Sequence, residues 1–180
     1  MAILSNRLAA GTIVIALLFC SGVARGENAL SLTGGWASYA LPDPKDPDKD
    51  LGSLAGAGIG AEFEYTFAEP FALRADLWGS AYWVDDGGGP AYIALATVGG
   101  TYRFDVLRYV PYASAGLGGV LSAGNGADAT VSPVLSLAGG LDILTRRDRS
   151  WGVELRLASF AGDITMLTAG VRGTHRWGAF

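Results

Sequence analysis

The sequence predicts an all-β protein, a closed antiparallel eight-stranded up-and-down transmembrane β-barrel. Three observations predict it. Apolar and polar residues alternate with a period of two along most of the chain, the alternating runs are long, and Gly/Asp/Pro-rich breaks take turns with short turns between them. A period of two is the repeat of a strand with one face in each of two environments, whereas a helix repeats every 3.6 residues.

The first element is not part of the barrel. Residues 1–24 place Arg7 before the apolar run Leu8-Ala9-Ala10-Gly11-Thr12-Ile13-Val14-Ile15-Ala16-Leu17-Leu18-Phe19, and Ser21-Gly22-Val23-Ala24 follows with small residues where a signal peptidase inspects the chain. This is the form of a secretory signal peptide. The run is shorter than the roughly 20 residues a helix needs to cross a bilayer. Cys20 is the single cysteine and lies within this segment. It excludes a disulfide scaffold or cysteine metal cluster, and Phe19 before it departs from the small residue a lipoprotein signal carries. Residues 25–180 are then the barrel domain.

Eight alternating segments follow, at 30–40, 54–67, 71–83, 91–104, 110–120, 131–143, 151–160 and 164–176. Most are as long as the roughly 9 to 11 residues of a tilted membrane strand and longer than the usual soluble strand. Ala57 to Tyr65 sets Glu62 and Glu64 on one side. Phe71 to Leu77 does so with Arg74 and Asp76, and Val153 to Leu157 with Glu154 and Arg156. The breaks at Pro42 to Asp50, Asp85 to Pro90, Gly124 to Asp128 and Ala161-Gly162-Asp163 fall on one rim. On the other rim are the turns at Ala68-Glu69-Pro70, Asp105 to Arg108 and Thr145 to Arg149. Long loops on one rim and tight turns on the other are the asymmetry of a barrel inserted from one side of a membrane. The prolines and charges of Pro42 to Asp50 read as loop rather than strand.

With apolar sides facing lipid, the alternate sides supply an interior containing Glu62, Glu64, Arg74, Asp76, Arg103, Asp142, Glu154, Arg156 and Arg172. Both signs are present in near balance, and a charge in a narrow interior is costly unless it is paired or hydrated. These residues are therefore expected to pair across strands as a lumen charge network. Gly58, Gly60, Ser80, Gly99, Ser114, Gly116, Gly118, Ser136, Ala138, Gly140 and Gly170 give room beside them. Eight strands close around side chains and leave little bore, which disfavours a general diffusion porin. Tyr65, Phe67, Phe71, Tyr102, Phe104, Tyr109, Tyr112 and Trp151 near the short turns, and Trp78, Tyr82 and Trp83 toward the other rim, read as aromatic belts.

The strand Val110-Pro111-Tyr112-Ala113-Ser114-Ala115-Gly116-Leu117-Gly118-Gly119 resembles the "PYxGAGLG" strand of small eight-stranded outer-membrane barrels, and Leu137-Ala138-Gly139-Gly140-Leu141-Asp142 continues the likeness. On these motifs the chain is similar to the transmembrane domain of the major outer-membrane protein A. The resemblance implies residence in a bacterial outer membrane, contact with its lipid and lipopolysaccharide, and insertion by the barrel-assembly machinery. It also implies that Phe180 acts as the terminal aromatic of an assembly signal together with Trp177. Trp177 shares the outward parity of Leu167, Ala169, Val171 and Gly173, and Phe180 falls on the other, so a bulge or strand end near Trp177 is needed to reconcile them. No linker and peptidoglycan-binding domain is expected after the last strand, and a monomer is expected.

Other function classes find few residues. The net charge of -4 disfavours nucleic acid, whose phosphates need a basic face. His175 is the single histidine, sits on the outward parity and has no serine partner in prospect, so neither a catalytic triad nor a histidine metal site is expected. Asp43, Asp46, Asp48 and Asp50 match no calcium loop and are diluted by Lys45 and Lys49. No cofactor, metal or catalytic residue is expected. The reading is a structural barrel with exposed loops and a largely closed lumen. A narrow ion or small-solute channel or a ligand-binding barrel is the alternative, and a soluble, inverted barrel with an apolar pocket is a third.

Overall fold

An edge strand leaves a row of backbone N–H and C=O groups unpaired, and the chain has no such edge because its sheet closes on itself. The computed structural model describes residues 26–43, 46–83, 90–104, 108–124, 127–160 and 163–178. The expected signal peptide, Cys20 and Phe180 lie outside the described residues. Eight strands form a closed barrel in chain order: β1 Glu27–Asp43, β2 Asp46–Ala68, β3 Phe71–Tyr82, β4 Ala91–Arg103, β5 Tyr109–Gly124, β6 Ala127–Arg146, β7 Arg149–Phe160 and β8 Asp163–Gly178. All pairings are antiparallel between consecutive strands. The barrel is sealed by β1 against β8, from Glu27 opposite Gly178 to Tyr39 opposite Met166.

At Pro42 to Asp50 and at Gly124 to Asp128 the strands run into the expected breaks on the long-loop rim. Pairing between β1 and β2 continues through Pro42 opposite Asp50 and Asp43 opposite Asp46, with register shifts on either side of Pro42. The segment Pro42 to Asp50 is expected to be loop, but its described residues, 42–43 and 46–50, are strand backbone. Register irregularities of this kind are where a proline, which has no N–H to give the ladder, is tolerated. Between β5 and β6 the ladder likewise reaches Gly124 opposite Ala127.

The alternation sorts side chains as the sequence indicates. Leu32, Ile59, Leu77, Val98, Leu117, Val131, Val153 and Val171 are exposed on the outer wall, Ile59 and Val131 by 75% each. Glu62, Glu64, Arg74, Arg156 and Arg172 are buried inside. An outer wall of exposed aliphatic side chains around a charged interior suits hydrocarbon outside, and it rules out the inverted, soluble arrangement.

The aromatic assignments need correction at three positions. Trp78, Tyr82 and Tyr112 face the interior, exposed by 3%, 0% and 5%. They share parity with Arg74, Asp76 and Val110, so they cannot reach lipid. Phe67, Phe71, Tyr102, Phe104, Tyr109 and Trp151 are exposed on the outer wall at the short-turn rim, and Trp83 at the opposite one. Tyr102 makes edge contacts with both Phe71 and Phe104, at 5.2 and 4.6 Å between ring centres.

Candidate functional site

The interior has two layers, and the strands that supply them explain both. Inward positions of β2, β3, β7 and β8 in the half nearer the short turns carry Glu62, Glu64, Arg74, Asp76, Glu154, Arg156 and Arg172. Their register brings Glu62 opposite Asp76 and Glu64 opposite Arg74 on β2–β3. Arg74 reaches three elements: its Nε lies 2.7 Å from Asp76 Oδ1, and its Nη2 lies 2.8 Å from Glu154 Oε2 and 3.1 Å from Glu62 Oε1. Arg156 Nη2 meets Asp76 and Glu154, each at 2.9 Å, and Glu62 at 3.3 Å. Arg172 Nη1 lies 3.0 Å from Glu62 Oε2 and 3.3 Å from Glu154 Oε2, while its Nη2 donates to Ser31 Oγ at 2.9 Å.

Nearer the short-turn rim, Arg103 pairs with Glu64 and, at 3.4 Å, with Glu27. Asp142 takes Arg176 at 3.0 Å and Arg172 at 3.5 Å. All nine residues expected to form the lumen charge network thus lie in one connected cluster. Two members were missed, Glu27 and Arg176. Both were readable, because Glu27 shares parity with Ser31, and Arg176 with Arg172.

Neutral groups extend the layer. Thr33 Oγ1 donates to Glu62 at 3.0 Å, Thr97 Oγ1 to Asp76 at 3.2 Å, and the Tyr112 hydroxyl to Glu154 at 2.9 Å. The Arg172 guanidinium lies 4.5 Å from the centre of the Tyr112 ring. Planar guanidinium groups suit this work, since they hold several carboxylates at once and stack on aromatic faces.

The second layer, toward the long loops, is apolar. Ala37, Trp78, Tyr82, Ile93, Leu95, Val120, Val134, Ala158 and Met166 form one buried cluster. Trp78 sits at the boundary, with the Arg156 guanidinium 5.9 Å from its ring. A Cβ at Gly58 or Gly60 would stand 2.6 Å from the Trp78 indole, so glycine at these positions is what lets the ring lie flat on β2. Little in the residue pattern forewarns of this cap. Ile93 and Leu95 stand in a stretch apolar on both faces, where alternation carries no contrast.

Three neighbours among solved structures share this architecture. Neisserial surface protein A superposes with a TM-score of 0.63 at 12% identity, over 86% of this chain and 97% of that one. Ail, the attachment invasion locus protein of Yersinia pestis, gives 0.58 at 14% identity, over 85% and 99%. The outer membrane protein OprG from Pseudomonas aeruginosa gives 0.58 at 14% identity, over 87% and 99%. The chain has the fold of the small eight-stranded outer-membrane barrels. No protein-family model and no curated protein matches the sequence. At these identities the likeness concerns architecture, and the interior of this outer-membrane barrel fold must be read from its own residues.

The remaining expected residues lie outside the interior. Trp177 is exposed on the outer wall of β8, packed 6.3 Å from the Phe63 ring, and the strand ends one residue later at Gly178, whose φ is +123°. His175 is outward too. Its ring stacks on Trp177 at 5.8 Å, and its Nδ1 lies 3.1 Å from the Asp148 carbonyl oxygen.

Proposed function

We propose that this chain is a structural protein of the bacterial outer membrane, exported by residues 1–24, in which a closed barrel holds loops at the cell surface and does not conduct. The observation that carries this reading is the stacking of the two interior layers. A cross-linked set of arginines and carboxylates spans the barrel, and Trp78, Tyr82, Leu95 and Met166, each buried to within 3% exposure, sit above it. A solute passing along the axis would have to break buried ion pairs and displace large rings, and each change is costly in a low-dielectric interior.

His175 is assigned no catalytic role: it is exposed on the outer wall, and its contacts are the carbonyl oxygen and carboxylate of Asp148 and the Trp177 indole, with no nucleophile among them. Lipid and lipopolysaccharide are the partners that the apolar wall and long-loop rim would meet. Trp177 and Phe180 serve assembly, and the protein works as a monomer.

Membrane fractionation combined with surface proteolysis tests the location and the loop display. With the full chain expressed in a Gram-negative host, the protein is expected in the outer-membrane fraction, shortened by residues 1–24. Protease added to intact cells should clip it on the long-loop rim and leave a barrel that still migrates fast without heating. Recovery in the soluble periplasm would overturn the reading.

A further inference from the structure

The short-turn rim carries a cationic arc at the edge of the interior network, where Arg147 also borders the cavity at the lumen mouth with Glu27, Glu69, Arg103 and Arg176. Arg108 ends the β4–β5 link, and Arg146, Arg147 and Arg149 stand at the β6–β7 turn, all four exposed. The two turns are neighbours, since the Leu144 N–H donates to the Arg108 carbonyl at 2.9 Å. His175 of β8 lies opposite Arg149 and continues the arc. Among the described residues of these two turns the acid is Asp148, already 3.4 Å from Arg149 and 3.7 Å from His175.

The arc is placed at a definite depth. Tyr109, Ile143 and Trp151 are register partners across β5, β6 and β7 and face outward, with Trp151 exposed by 63%. Exposed tyrosine and tryptophan collect where hydrocarbon gives way to headgroups. Arg146 and Arg149 lie three and two residues beyond this row, roughly 7–10 Å along a strand, which is the level of lipid phosphates. Guanidinium groups bind phosphate oxygens bidentately.

We propose that Arg108, Arg146, Arg147 and Arg149 form a binding surface for the phosphates of anionic phospholipids in the periplasmic leaflet, with Tyr109 and Trp151 seated at the top of their acyl chains. The proposal rests on the outer-membrane reading above, because the short turns then face the periplasm. Net positive charge on this arc is complementary to an anionic headgroup, and its four arginines are exposed, whereas Arg74, Arg156 and Arg172 of the inward network are buried against carboxylates.

Tryptophan quenching by brominated lipids tests it. The refolded protein, with Trp36→Phe and Trp83→Phe to leave Trp151 and Trp177 as the lipid-facing reporters, is placed in phosphatidylcholine vesicles containing brominated phosphatidylglycerol or brominated phosphatidylcholine. An arginine near an anionic surface favours binding about fivefold. Phosphatidylglycerol is therefore expected to be preferred by at least that factor, less at high salt, and the preference is expected to vanish in R108Q/R146Q/R147Q/R149Q. Equal quenching by both lipids in the unsubstituted arc would overturn the proposal and leave the barrel reading standing. A preference that survives the four substitutions would overturn the assignment to this arc. No quenching by either lipid would overturn the membrane reading itself, and the proposal with it.

Discussion

Arg172 meets Glu62, Glu64, Asp142 and Glu154 with a side chain exposed by 1%, whereas Arg149 meets Asp148 with one exposed by 64%. The two differ in what removal leaves behind. Arg172→Ala strands several buried carboxylates, and loss of one partner from a buried pair costs roughly 3–5 kcal/mol. An exposed pair contributes about 0–1 kcal/mol. Urea unfolding of the refolded protein, followed by tryptophan fluorescence, is expected to show a large drop in midpoint for Arg172→Ala and almost none for Arg149→Ala; equal midpoints would contradict the buried network. A second contrast concerns glycines. Gly60→Ala puts a methyl 2.6 Å from the Trp78 ring, while a Cβ at Gly79 meets nothing within 4 Å. Overpacking costs about 1–3 kcal/mol, so Gly60→Ala is expected to destabilise and Gly79→Ala to be neutral in the same assay. Equal effects would mean that Trp78 does not lie on β2. At this scale the charged residues were legible because each one interrupts an apolar run on a single parity. Trp78 and Tyr82 were legible by the same rule, through their parity with Arg74 and Asp76, and only a reading by residue type alone assigns them to the wall; Tyr112 was harder to place, since its strand carries no charged residue to mark the inward side.

Strand order was legible because every link is either rich in Gly, Asp and Pro or only a few residues long, which leaves neighbour-to-neighbour pairing as the simplest path. Strand ends were less so. Pro42 and the aspartates of β2 look like loop by composition, yet pairing reaches Asp43 opposite Asp46 once the register shifts. Hairpin geometry, which residue chemistry does not report, decides that extension. The last strand carries a prediction of its own. Trp177 stands on the lipid side of β8 beside Phe63, and its removal together with Phe180 takes away both aromatic candidates for an assembly signal. The double variant W177A/F180A is expected to accumulate more slowly as the fast-migrating folded band in pulse-labelled outer membranes. A normal rate would remove both residues from that role.

For the whole molecule, the sequence made the barrel and its charged interior legible and left the apolar cap unseen. The cap arises where Ile93, Leu95, Val120, Val134 and Met166 occupy inward positions on strands whose outer faces are also apolar. Closure is therefore a property of how the strands curl together, and it separates a structural barrel from a narrow channel. Planar-bilayer recording decides between them most directly, using purified protein whose heat-sensitive gel mobility confirms the closed barrel. The expected result is an unbroken baseline across a wide voltage range, with conductance appearing only when Trp78 and Tyr82 are both replaced by alanine and the Arg172 pairs are broken. Discrete, reproducible channels from the unsubstituted protein would contradict the closed lumen and make the arginine and carboxylate layer a conduction path.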